Sequence, residues 1–130
     1  MKETFLGGTC NGSQWREKLI PLLKINYFNP VVKDWTSECQ EKEIAKRNSC
    51  DYCLYVITPK MTGVYSIAEV VDDSNKRPAK TVFCFLSEDD DTVFDKDQVK
   101  SLRSVGKMVV ANGGMWCQSI DGVAEFLNSY

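Results

Sequence analysis

The sequence predicts an α/β fold, a three-layer α/β/α sandwich around a parallel sheet of five strands. Apolar runs and stretches of helical periodicity alternate along the chain as βαβαβαβαβα, without repeats, linkers or low-complexity segments. Two of the runs, Tyr52-Cys-Leu-Tyr-Val-Ile-Thr58 and Thr81-Val-Phe-Cys-Phe-Leu86, are apolar throughout rather than alternating, which marks strands covered on both faces. The 130 residues, 43% of them hydrophobic, are enough for one domain, 1–130, with its own core.

Taken in order, residues 4–8 form a short strand that ends in a glycine pair. A helix over 13–24 follows, with Trp15, Leu19, Leu22 and Leu23 on one face. Residues 26–32 read as the second strand, with Pro30 marking a bulge or the strand end. Ser37-Glu-Cys-Gln40 fits a capping box that opens a helix to about residue 48. The third strand covers 52–58, and the helix after it shows Tyr65, Ala68 and Val71 as an apolar stripe. Residues 81–86 are the fourth strand, and Glu88-Asp-Asp-Asp91 reads as a solvated acidic loop. Val99, Leu102, Val105, Met108 and Val109 predict a fourth helix, 115–118 a short edge strand, and 121–130 a closing helix. Right-handed crossovers between such strands give the flavodoxin-like order 2-1-3-4-5, with a crevice between strands one and three.

Composition removes several classes of function. The net charge is −2, and Lys42, Lys46 and Arg47 are interspersed with Glu38, Glu41 and Glu43, so no face suits a nucleic acid polymer. No apolar run approaches the roughly 18–20 residues of a membrane helix, and no signal peptide is expected before the first strand. With six cysteines scattered through predicted helices and strands, free thiols in the cytoplasm are expected. Cys50-Asp-Tyr-Cys53 matches CxxC but straddles a helix end and a strand start, where buried apolar roles are expected instead. The chain has no histidine, which excludes histidine-dependent triads; no metal or cofactor is called for.

Candidate residues gather at the carboxyl edge of the sheet, where open α/β folds bind their ligands. Glu69 lies in the helix that follows the third strand. Gly7-Gly8-Thr9-Cys10-Asn11 gives a ligand close access to backbone, Asp34-Trp35 follows strand two, and Glu43 lies on helix two. Asp51, at the opposite strand end, reads as a structural turn residue.

Phe5-Leu-Gly-Gly-Thr9, Asn29-Pro-Val-Val32, the eight-residue step from Glu43 to Asp51, Val56-Ile-Thr-Pro59 and Ser66-Ile-Ala-Glu69 resemble the nucleoside 2-deoxyribosyltransferases and the related deoxynucleoside 5′-monophosphate N-glycosidases. The resemblance implies that Glu69 attacks C1′ of a deoxyribose and that Glu43 helps protonate the departing base. It also implies that Gly7, Gly8, Thr9, Asn11 and Ser66 hold the sugar and any 5′-phosphate, and that the protein forms a homodimer or higher oligomer whose subunits complete the site. Tyr130 is a candidate to close that site. The chain departs from the family pattern at Ile67 and Val71, where glycines are usual, at Phe5 in place of a tyrosine, at Glu43 in place of aspartate, and at Gly63 in place of an acid. Two other functions remain open: a non-catalytic nucleotide-binding or sensing module on the same fold, and an NAD-type riboside hydrolase.

Overall fold

Strands that are apolar throughout must be covered on both faces, and the computed structural model, which describes residues 1–129, shows how. The elements are β1 (Glu3–Gly8), α1 (Trp15–Leu19), β2 (Asn26–Phe28), α2 (Ser37–Ser49), β3 (Tyr52–Ile57), α3 (Tyr65–Lys76), β4 (Thr81–Phe85), β5 (Glu88–Asp89), β6 (Thr92–Val93), α4 (Lys96–Ala111), β7 (Met115–Cys117) and α5 (Ile120–Asn128). The main sheet has five parallel strands in the order β2-β1-β3-β4-β7, the predicted order with β7 as its fifth member. Successive strand residues go to opposite faces. Leu6, Leu54, Val56, Val82 and Cys84 pack with α1 and α5. Phe5, Tyr55, Ile57 and Phe83 pack with Val70 of α3 and with Leu102 and Val109 of α4. Among the described residues, no helix is long and apolar enough to cross a membrane.

The local departures have physical causes. Pro21 has no N–H to continue an α-helix, so the predicted helix over 13–24 is a short α1 followed by a 3₁₀ turn over Ile20–Leu22 that leaves Leu22 exposed. β2 stops at Phe28, and Val31 N–H donates to Asn29 Oδ1 at 3.1 Å, so Val31 and Val32 leave the strand. Thr36, not Ser37, caps α2, because its backbone is extended and its Oγ1 accepts from Cys39 N–H at 3.3 Å. The inward face of α3 is set by Val70, Asp73 and Ser74, so Tyr65 and Ala68 of the expected stripe are exposed. Met108 of α4 is likewise exposed.

The acidic stretch forms a hairpin in which Glu88, Asp90 and Asp91 are exposed as expected and Asp89 is buried. β5 pairs with β6, and buried Asp89 accepts from Ser13 O–H at 2.5 Å. Asp51 is the expected brace: its Oδ2 accepts from Glu3 N–H at 2.8 Å. All six cysteines carry free thiols, and burial pushes Cys50 and Cys53 up to about 12, far from the thiolate a redox pair needs. Tyr130 lies outside the described residues.

Gly8 has φ +120°, and a Cβ there would lie 2.0 Å from Val56 O, inside the β1–β3 ladder. Gly8→Ala is therefore expected to cost at least about 3 kcal/mol, read as a lowered denaturation midpoint. An unchanged midpoint would show that the turn can relax.

Candidate active site

Parallel strands open a crevice where the chain leaves neighbouring strands toward different helices, here between β1 and β3. A cleft of about 410 Å³ lies at this edge. Phe5, Gly7 and Gly8 of β1 line it, with Tyr65, Ser66 and Glu69 of α3 and Gln40, Glu43, Ile44 and Arg47 of α2. The four α2 residues follow the i, i+3, i+4, i+7 pattern of a single helix face. Pro30, Val31, Val32 and Trp35 come from the segment after β2.

Glu69 is held in the second turn of α3 with its side chain 12% exposed. Arg47 Nη1 stands 3.4 Å from Glu69 Oε2. Burial pushes the Glu69 carboxyl up to about 7; Arg47 opposes that shift, and the carboxylates of Glu43, Asp73 and Asp72 reinforce it. Desolvation prevails over the ion pair because Arg47 is shared: its Nη2 also reaches Asp73 Oδ1 at 2.8 Å and Asp72 Oδ2 at 3.3 Å. Burial works against the charge on Arg47, but the hydrogen bond to Asp73 and the charges of Asp73 and Glu69 outweigh it and hold the guanidinium firmly protonated.

Glu43 enters the same cleft, where Trp35 Nε1–H donates to its Oε2 at 2.8 Å. Trp35 is 58% exposed, so it is a wall of the cleft mouth with a polar edge turned to Glu43, not a cap on the core.

The glycine turn is built for close approach. A Cβ on Gly7 would meet the Tyr55 ring at 2.7 Å, so only backbone can lie over that ring. Arg16 braces the turn from below: it is buried, with Nη1 donating to Thr9 O at 2.8 Å and Nε and Nη2 donating to Leu6 O at 3.1 and 2.9 Å. Thr9 is also buried, and its Oγ1 accepts from Thr58 N–H at 2.9 Å.

A second recess of about 310 Å³ shares Gly8, Cys10, Tyr65 and Ser66 with the cleft, and Thr9 and Asn11 line it. Asn11 Nδ2 donates there to Thr62 Oγ1 at 2.8 Å and to Lys60 O at 3.2 Å. The fold thus brings Glu69, Glu43, Gly7, Gly8, Trp35 and Ser66 to one cleft, with Thr9 and Asn11 in the adjoining recess. Asp34 is exposed and lines neither. Ile67 and Val71 pack against the Phe5–Tyr55 core cluster and are not cleft-lining residues.

Sequence reasoning did not pick out Arg47, Gln40 or Ile44, although helical spacing from Glu43 puts all three on its face. It also missed the Tyr55–Asp73 pair, whose O–H to Oδ2 distance is 2.5 Å. The available signal was Asp73, one turn after Glu69 on α3.

Comparison with known proteins bears on this span. The family described as nucleoside 2-deoxyribosyltransferase like matches residues 1–88, more than half of the chain and all of the cleft lining. No curated protein and no solved structure matches the chain.

Proposed function

The chain belongs to the nucleoside 2-deoxyribosyltransferase-like family, and from that premise we propose that it breaks the N-glycosidic bond of a nucleoside with Glu69 as nucleophile. The observation that carries the reading is the pairing of two carboxyl groups in one cleft. Glu69 is nearly enclosed beside Arg47, and Glu43 is oriented by Trp35.

In the first step a Glu69 oxygen bonds to C1′ as the C1′–N bond breaks, and the bonding pair leaves with the base nitrogen. Glu43 delivers a proton to the departing base. In the second step water or another base attacks C1′ and the ester C1′–O bond breaks. This restores the Glu69 carboxylate and returns a proton to Glu43. The glycine turn lets the sugar lie against backbone, and the apolar walls at Phe5, Val31, Val32 and Trp35 suit a planar base.

A substrate without a 5′-phosphate fits this cleft best. Arg16 and Arg47, the cations in its lining, have their guanidinium groups committed to carbonyls and to carboxylates respectively. Glu43 and Glu69 oppose a further dianion.

The test is chromatography of base release from purine and pyrimidine 2′-deoxynucleosides and from their 5′-monophosphates. Turnover of at least one deoxynucleoside is expected, with base exchange when a second free base is added. Absence of turnover on every deoxynucleoside and every monophosphate overturns the proposal. Turnover of monophosphates alone overturns the assignment of an unphosphorylated substrate.

A further inference from the structure

A nucleophilic carboxylate works only when it is ionised and aimed, and in this cleft one side chain reaches it with both a charge and a fixed direction. Phe5, the β1 residue on the cleft floor, has no hydrogen-bonding atom to offer Glu69. Arg47 does: its Nη1 is 3.4 Å from Glu69 Oε2. The opposite edge of the same guanidinium forks onto Asp73, with Nε 3.4 Å from Oδ2 and Nη2 2.8 Å from Oδ1. A two-point contact of this kind fixes the plane of the guanidinium, leaving the Nη1 edge toward the cleft.

Asp73 is itself immobilised. Its side chain is 0% exposed, Tyr55 O–H donates to Oδ2 at 2.5 Å, and Arg77 Nη1 pairs with Oδ1. Tyr55 of β3, Asp73 of α3 and Arg77 just past the end of α3 thus set the orientation of Arg47, the α2 residue that addresses the candidate nucleophile.

We propose that Arg47, anchored through Asp73 to Tyr55, is the positioning residue for the Glu69 carboxylate. This rests on Glu69 being the nucleophile. The arrangement suits a covalent cycle: when Glu69 becomes an uncharged ester, Arg47 keeps Asp72 and Asp73 as counterions and is not left an unpaired buried cation. The charged and titratable groups that surround Glu69 are Arg47 and Glu43 from α2, Asp72 and Asp73 from α3, and Tyr55 from β3.

The experiment follows the Glu69 carboxyl directly by ¹³C NMR titration, its signal assigned by loss in Glu69→Gln, beside kcat and KM for base release. In Arg47→Met the Glu69 midpoint is expected to rise by about one pH unit or more. Arg47→Lys keeps the charge but lacks the fork. It is expected to hold the midpoint within about half a unit while kcat falls at least about tenfold and KM changes less than about threefold.

Should Arg47→Met fail to fold, the double variant Arg47→Met/Asp73→Asn removes the buried carboxylate together with its partner. A smaller upward shift is expected there, because a carboxylate that raises Glu69 is lost as well. A midpoint unmoved by loss of Arg47, or wild-type kcat in Arg47→Lys, overturns the assignment. Lack of turnover by the wild type would be the failure of the glycosidic reading instead; the titration shift would still support Arg47 as the group that governs Glu69.

Discussion

Replacing Glu69 by alanine is expected to lower base release at least about 10⁴-fold, because the covalent step then lacks its nucleophile and Glu43, the other carboxylate lining the cleft, is bound to Trp35. Wild-type activity should rise with pH through about 7, since burial holds the Glu69 carboxyl near that value and only its ionised form attacks. A profile of kcat/KM against pH decides the role of Glu69. Were it the proton donor rather than the nucleophile, the rate would fall through the same pH.

The same shift has a stability consequence of definite sign. The folded carboxyl titrates near 7 and the unfolded one near the ordinary 4.5, so between these values the folded state binds the extra proton. Folding stability therefore falls as pH rises through this window and levels off above it. Glu69→Gln escapes the penalty. It should match the wild type below about pH 4 and exceed it by up to about 3 kcal/mol above pH 8, as read in urea titrations. A variant that loses activity while gaining stability is the signature of a charge kept in an unfavourable place for chemistry. Equal or lower stability at high pH would mean that Arg47 compensates Glu69 fully.

Asp73→Ala should be among the most destabilising single changes in the chain, costing about 3–5 kcal/mol in denaturant melts at neutral pH. Asp73 is fully enclosed, and its removal leaves Arg47 and Arg77 without their shared carboxylate and Tyr55 O–H without its acceptor. A domain of this size has only about 5–15 kcal/mol in total, so the variant stands near the edge of folding. Tyr55→Phe, which loses one hydrogen bond and no charge, should cost about 1 kcal/mol. Equal effects of the two changes would show that the ion pairs add nothing beyond the hydroxyl contact.

Much of the fold was legible because its signals are local. Continuous apolar runs identified β3 and β4, and helix periodicity located α4 and α5. Errors arose where one residue overrode the pattern. Pro21 shortened the first helix, and the Asn29 turn took Val31 and Val32 out of the sheet and placed them on the cleft wall. The acidic run looked solvated because charge predicts exposure, yet Ser13 offers Asp89 a buried partner 76 residues away in sequence. Ile67 and Val71, which stand where the family usually has glycine, turn their bulk to the core, since Tyr65, Ser66 and Glu69 are the α3 residues that line the cleft.

The sequence by itself determined the strand order and the placement of Glu69, Glu43 and the Gly7-Gly8 turn at one sheet edge, because periodicity and the handedness of crossovers act over neighbouring elements. Only the tertiary structure decided what surrounds Glu69. Arg47, Tyr55 and Asp73 belong to three different elements and meet only once α2 and α3 pack beside β3. The carboxyl's rise to about 7 depends on that packing as well, since it comes from water excluded by the folded chain and from charges distant in sequence.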